Sequence, residues 1–132
     1  DDVGPLDAAV DSGHGVVAER LLNVPYLWGG RTGHGLDCSA LVQLSLMATG
    51  VAAPRDTDMQ AASLGELVEG GVEAARHPGD LVFWPGHVGI MIDAEYMVHA
   101  SGHHMMVVLE PLADAMKRIQ RTAGPPTALR RP

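Results

Sequence analysis

The sequence is poor in cysteine, in basic residues and in long apolar runs, and each shortage argues against a class of protein. One cysteine among 132 residues excludes an internal disulfide. No apolar run approaches the roughly 20 residues of a membrane-spanning helix, so no membrane insertion is expected. Nine basic against sixteen acidic residues give a net charge of -7, which offers no basic face for nucleic acid. The 46% of hydrophobic residues predict one globular domain with its own core.

Helical patterns come first in the chain and strand patterns follow, which predicts an α+β domain. The predicted helices cover residues 16–22, 37–50 and 56–64, with a closing helix at 110–120. The predicted strands form an antiparallel meander over 81–84, 87–92, 96–101 and 105–109, with an edge strand at 127–129. Residues 65–79 contain four glycines and a proline and predict a loop.

The single cysteine stands at the start of a predicted helix. A lone cysteine is more often a small buried apolar residue, so its neighbours decide its role. Asp37 is a good N-cap residue, which places Cys38 in the first helical turn. The unpaired amides of that turn stabilise a thiolate and can hold a developing oxyanion. The adjacent Asp37 carboxylate opposes thiolate formation, unless an imidazolium outweighs it or the carboxylate points elsewhere, for example towards a substrate ammonium.

Two histidines are predicted to meet on one face of the sheet. If residues 93–95 form a three-residue turn, Met91 pairs with Met97 and Gly89 pairs with His99. His87 and His99 are then diagonal neighbours, with Gly89 leaving room between them. The opposite face is predicted to be core and carries Val88, Ile90, Ile92, Tyr96 and Val98. This arrangement supplies a nucleophile, a base and a group that orients the base, in the order Cys38, His87 and His99.

Six segments together resemble the NlpC/P60 family of cysteine peptidases. They are PYLWGG at 25–30, LDCSALVQ at 36–43, PRDT at 54–57, PGDLVF at 78–83, GHVGI at 86–90 and VHA at 98–100. The resemblance implies a papain-like α+β fold, with N-terminal helices and the nucleophile on a buried helix packed against an antiparallel sheet. Residues 1–14 are then a lead-in segment, and residues 15–132 are a single catalytic domain.

The resemblance also implies a reaction and a set of site residues. The reaction is hydrolysis of peptidoglycan stem peptides or muropeptides, commonly between D-γ-glutamyl and a diamino acid, by Cys38, His87 and His99. Tyr26 would lie beside the nucleophile, and Asp37, Ser39 and Thr57 would hold the free-amine end. No cofactor and no metal are implied. Family members often carry N-terminal wall-binding modules, and they act in the periplasm, outside the cell or in cytoplasmic recycling.

The sequence departs from the family pattern at Ala40, where glycine is usual, and the extra methyl group is expected to narrow the cleft. Three alternatives stay open. Related papain-like folds include amidases and acyltransferases, and such a fold can also keep binding a wall peptide after losing catalysis. A metal site is the third, although the spacing of its candidate ligands does not match common zinc patterns. Those candidates are His99, His103 and His104, with Asp93 or Glu95.

Overall fold

The computed structural model of the chain describes residues 17–23, 31–32, 35–101 and 103–132. Within these ranges helices precede an antiparallel sheet, which confirms the predicted α+β class. The helices are α1, described over 17–20, α2 at Cys38–Met47, α3 at Thr57–Ser63 and α4 at Leu112–Ala123. The strands are β1 Arg31–Thr32, β2 Gly35–Leu36, β3 Glu66–Leu67, β4 Leu81–Trp84, β5 His87–Met91, β6 Tyr96–Ser101, β7 Met106–Pro111 and β8 Ala128–Arg131. No helix in the described ranges is both long and apolar enough to cross a bilayer.

The main sheet contains the predicted meander β4 to β7 and extends beyond it. Its strand order is β3-β8-β4-β5-β6-β7, with every neighbouring pair antiparallel. The prediction of an edge strand near residues 127–129 was wrong in position, because β8 lies between β3 and β4. The short β3, in the segment predicted as loop, pairs through Glu66 and Leu67 with the end of β8. A strand that returns from the chain end can be placed only by such a long-range pairing, which local patterns do not contain.

Helix α2 forms where the sequence predicts it and begins with the predicted cap. The Asp37 carboxylate accepts a hydrogen bond of 2.8 Å from the Ala40 amide, which satisfies one of the unpaired N–H groups of the first turn. The helix is apolar on several sides and is buried against β5 and β6. It ends at Met47, three residues before the predicted stop, and Gly50 follows in the left-handed region with φ of 88°.

Both faces of the sheet are covered, and each face has its own core. One face packs Val88, Ile90 and Val98 against the buried side chains of α2. The other face packs Met91 and Met97 with residues of α4, including Leu112 and Ala115. The face that carries the two histidines is therefore largely apolar core rather than polar surface.

Two smaller predictions about these strands were wrong. Tyr96 was predicted in the core, but it is 40% exposed because it is the first residue of β6, at the end of the sheet. The closing helix was predicted to begin at Glu110, but Glu110 and Pro111 belong to β7, and α4 begins at Leu112. The strand continues to Pro111 because Met97 and Tyr96 of β6 still pair with Glu110 and Pro111.

The register of β5 against β6 is the predicted one. Ile90 pairs with Val98 and Met91 pairs with Met97. The space beside Gly89, however, is filled by a core side chain rather than left to the histidines. A methyl group added to Gly89 would lie 2.2 Å from Sδ and 2.7 Å from Cγ of Met97. Glycine at position 89 therefore lets Met97 lie flat on the sheet.

We expect Gly89→Ala to destabilise the fold by about 1–3 kcal/mol, because the added methyl group forces the fully buried Met97 side chain out of its position. The free energy of unfolding in urea measures this. The matched background is Met97→Ala, in which the same Gly89→Ala change should cost less because the clash is gone. An equal cost in both backgrounds would contradict this account of Gly89.

Candidate active site

Cys38 is the first residue of α2, and its sulfur lies against the backbone that carries His87. The thiol lies 3.7 Å from the Gly86 carbonyl oxygen and 3.7 Å from the Thr57 hydroxyl. The Val88 amide also donates a hydrogen bond to the sulfur. Peptide groups on both sides of His87 thus contact Sγ, and Cys38 is only 7% exposed. The start of α2 and the start of β5 therefore meet at one point.

The surroundings of Cys38 act on its pKa in opposite directions. Burial raises the pKa of the thiol above its ordinary value of 9.0, because a buried thiolate loses its hydration. The hydrogen bond with Thr57 and the amides of Val88 and Ser39 lower the pKa, and the charge of Asp37 raises it further. Burial prevails, so the resting group is a thiol. The donors that would stabilise a thiolate are already in contact with the sulfur.

Asp37 forms an ion pair with Arg55. The two guanidinium nitrogens lie 3.1 and 2.9 Å from the two carboxylate oxygens of Asp37, and one of them lies 2.8 Å from the Ser39 hydroxyl. A bidentate pair of this kind compensates the carboxylate charge and fixes its orientation. Arg55 thus holds the Asp37 carboxylate, although the charge of Asp37 still raises the pKa of Cys38.

Arg55 is a site residue that sequence reasoning missed. It lies in the PRDT segment that carries part of the family resemblance, but no partner was assigned to it. The sequence did contain a signal for such a residue. Asp37 is an acidic N-cap beside the lone cysteine, and a carboxylate next to a nucleophile needs a counter-charge. Sequence alone does not say which of nine basic residues provides it.

His87 and His99 are joined directly on the α4 face of the sheet. Nε2 of His87 lies 2.8 Å from Nδ1 of His99, and the two rings meet edge to face with 5.0 Å between centroids. His99 is 1% exposed, whereas His87 is half-buried beside Trp84, with 5.5 Å between those ring centroids. The diagonal arrangement across β5 and β6 thus brings the two imidazoles within hydrogen-bonding distance.

Two charged residues that the sequence did not single out continue this arrangement. The other ring nitrogen of His99, Nε2, lies 2.7 Å from Oε1 of Glu110. Arg118 holds the same carboxylate through both of its terminal nitrogens, one at 3.0 Å from Oε1 and the other in contact with Oε2. Burial tends to raise the pKa of Glu110, but the hydrogen bonds from His99 and Arg118 outweigh it and lower the pKa to about 2. Glu110 is therefore a carboxylate at neutral pH.

His87 is a neutral imidazole at neutral pH. Burial, followed by the nearby His99 and the positive charge of Arg118, lowers its pKa from 6.5 to about 3, although Glu110 acts in the opposite direction. The ring stays open to a cavity of about 320 Å³ between β5, β6 and α4. Its polar lining includes His99, Ser101 and Arg118.

The structure brings together some of the predicted site residues and leaves others apart. Thr57 contacts Cys38, and Ser39 contacts Arg55 and Asp37. Among the described residues no hydrogen bond joins Cys38 to His87. Tyr26 lies outside the described residues. The Ala40 methyl group is fully buried in the core, so the expected narrowing of the cleft was wrong.

The side chains proposed for the alternative metal site are otherwise engaged or dispersed. His99 is bonded to His87 and Glu110, and His104 is bonded to Ser101. Within the part of the chain that the structure describes, no group of three or more histidine, cysteine, aspartate or glutamate side chains could hold a metal ion.

Comparison with known proteins identifies relatives of this chain. The chain is 37% identical over 82 residues to dipeptidyl-peptidase 6 of Lysinibacillus sphaericus, covering 58% of this chain and 27% of that protein. It is 33% identical over 87 residues to the gamma-D-glutamyl-L-lysine dipeptidyl-peptidase of Bacillus subtilis, covering 60% and 28%. The chain thus spans about a quarter of the length of these curated relatives.

A solved structure gives the same result for the fold. The peptidoglycan hydrolase RipB from Mycobacterium tuberculosis superposes with a TM-score of 0.73 at 30% identity, over 97% of this chain and 66% of that one. The superposition identifies the α+β architecture as papain-like. The NlpC/P60 family model matches residues 23–122, which include Cys38, His87, His99 and Glu110. The chain therefore belongs to the NlpC/P60 family.

Proposed function

We propose that this chain is a cysteine peptidase that hydrolyses peptidoglycan stem peptides at the bond between D-γ-glutamyl and a diamino acid. The observation that carries the proposal is the meeting of α2 and β5, where Sγ of Cys38 touches the peptide groups on either side of His87. The names of the relatives support the substrate class. One is a gamma-D-glutamyl-L-lysine dipeptidyl-peptidase, and RipB is a peptidoglycan hydrolase.

In the proposed reaction Cys38 is the nucleophile and His87 is the base. Because Nε2 of His87 is engaged with His99, Nδ1 is the nitrogen that takes the thiol proton. The thiolate attacks the γ-glutamyl carbonyl, and the Cys38 amide in the first turn of α2, with Tyr26, stabilises the oxyanion. His87 returns the proton to the leaving amine as the C–N bond breaks and a thioester remains. Water then attacks the thioester, and the thiol is restored.

The cluster at the start of α2 is suited to the free-amine end of the substrate. Asp37 offers a carboxylate to the ammonium group of an L-Ala-D-Glu end. Arg55, paired with Asp37, offers a cation to the α-carboxylate that the γ-linked glutamyl residue retains. Ser39 and Thr57 add hydroxyl groups, and Thr57 reaches Cys38 itself. We propose that Asp37, Ser39, Thr57 and Tyr26 contact this end of the peptide.

The first prediction of this proposal concerns the product. Incubated with L-Ala-γ-D-Glu-diaminopimelate-D-Ala, the chain should release L-Ala-D-Glu, detected by mass spectrometry, and the Cys38→Ala variant should release none. Full activity of Cys38→Ala would exclude the cysteine mechanism. An uncleaved peptide, with Cys38 still readily alkylated, would direct the search to amide or acyl-transfer substrates.

The second prediction ranks the two histidines by kcat on the same peptide. We expect His87→Ala to lower kcat by about 10²–10⁴-fold, the usual contribution of a general base. His99→Ala should lower kcat less, by about 10–100-fold, because His99 orients the base without receiving the thiol proton. Circular dichroism of both variants checks that they are folded. The reverse order of effects would mean that the roles of the two residues are exchanged.

The third prediction concerns the hydroxyl group against the sulfur. Thr57→Val keeps the shape of the side chain but removes the hydrogen bond to Cys38, which lowers the pKa of the thiol, so the pKa of Cys38 should rise. The rate of iodoacetamide alkylation as a function of pH measures this pKa. Thr57→Ser is the matched control and should keep the parent value. If Thr57→Val alkylates with the parent profile, Thr57 does not stabilise the thiolate.

A further inference from the structure

The hydrogen-bonded chain behind His87 does not end at His99. It continues from β6 to Glu110 on β7 and from there to Arg118 on α4, so that four side chains on four elements are linked in series. His99 and Glu110 are both buried. An ionised carboxylate can only accept hydrogen bonds, so the guanidinium of Arg118 and the imidazole of His99 must both donate to Glu110.

We propose that Glu110, held by Arg118, is a positioning residue that fixes the tautomers of His99 and His87 and thereby leaves Nδ1 of His87 bare to take the Cys38 proton. The inference rests on the proposed function, because it takes His87 as the base of Cys38. It adds a carboxylate and a guanidinium to the three side chains of that mechanism.

The direction of each hydrogen bond follows from the carboxylate. The ionised Glu110 can only accept, so Nε2 of His99 must carry a proton. A neutral His99 then has a bare Nδ1, which accepts the hydrogen bond at 2.8 Å. The donor in that bond must be Nε2 of His87, and a neutral His87 that carries its proton on Nε2 has a bare Nδ1. When His87 receives the thiol proton, its Nε2–H continues to donate to His99.

Arg118 prevents the opposite arrangement. Without the guanidinium, none of the described residues on the α4 side would hold Oε1 of Glu110 against Nε2 of His99, and a His99 that carries its proton on Nδ1 would donate to His87. The proton of His87 would then move to Nδ1, the nitrogen that the mechanism needs bare. The guanidinium compensates the charge of Glu110 while leaving Oε1 in contact with His99. The guanidinium therefore fixes the carboxylate, and the carboxylate keeps the proton of His99 on Nε2.

A purely structural role for the ion pair makes a different prediction. The ion pair of Arg118 with Glu110 also links α4 to β7. If this link were its whole role, removing it would change the stability of the fold without changing which ring nitrogens are protonated. The discriminating readout is the protonation of individual ring nitrogens. Long-range ¹H–¹⁵N correlation spectra of the labelled protein distinguish protonated from bare imidazole nitrogens. His87→Gln and His99→Gln variants identify the signals of the two rings.

In the parent we expect both rings to be protonated at Nε2 and bare at Nδ1. In Glu110→Gln the amide can donate as well as accept, so the His87 signals should move towards a mixture of tautomers, and kcat should fall by about 10–100-fold. In Arg118→Ala, Nδ1 of His87 should become protonated. Lys117→Ala, one residue along α4 and outside the chain of hydrogen bonds, is the control and should leave spectra and kcat unchanged.

A parent His87 that is already a mixture of tautomers, or a Glu110→Gln variant that keeps the parent tautomer, would overturn the inference. If Glu110→Gln does not fold, Arg118→Ala decides by the same spectra. The spectra are recorded on the free protein, so they do not depend on peptide cleavage. If the parent shows the expected tautomers but does not cleave the peptide, only the proposed function is contradicted. If the parent cleaves the peptide and Glu110→Gln keeps the parent tautomers, only the role of Glu110 is contradicted.

Discussion

The pairing of Met91 with Met97 is the constraint on which the rest of the site depends. Side chains alternate along a strand, so this register sends Val88 and Ile90 towards α2 and sends His87 and His99 towards α4. A slip of one residue would exchange the two sets. The two cores resist that slip, because each face of the strand pair is already buried against a helix.

The same constraint separates the nucleophile from the groups that support its base. Cys38 belongs to the α2 side of the sheet, and its sulfur contacts the peptide groups on either side of His87. His99, Glu110 and Arg118 lie on the α4 side. Among the described residues, the beginning of β5 thus belongs to both halves of the site. A change in α4 can consequently influence a reaction at α2 through the orientation and protonation of His87.

Local signals predicted the parts of this arrangement that depend on neighbouring residues. The cap at Asp37, the strand at Leu81–Trp84 and the three-residue turn at 93–95 each depend on a few adjacent residues, and the structure has the predicted cap, strand and register. Arg55, Glu110 and Arg118 were not predicted as site residues. Their partners lie on other elements, and a single sequence does not say which distant charges meet. The prediction that β8 lies at the edge of the sheet was wrong for the same reason, because its neighbours are set by pairing with residues far away in the sequence.

Burial acts on Cys38 and His87 in the same sense, because it favours the uncharged form of each. It raises the pKa of the thiol and lowers the pKa of the imidazole, so the resting pair is neutral. Moving the proton from sulfur to nitrogen creates two charges in a poorly hydrated place, and the site must stabilise both.

The thiolate is stabilised by the hydroxyl group of Thr57, by the amides of Ser39 and Val88 and by the partial positive charge at the start of α2. On the imidazolium side, Glu110 raises the pKa of His87 while Arg118 lowers it. Because these two charges act in opposite directions at His87, the pair contributes through the direction of the hydrogen bonds, and the attraction between thiolate and imidazolium must supply stabilisation as well.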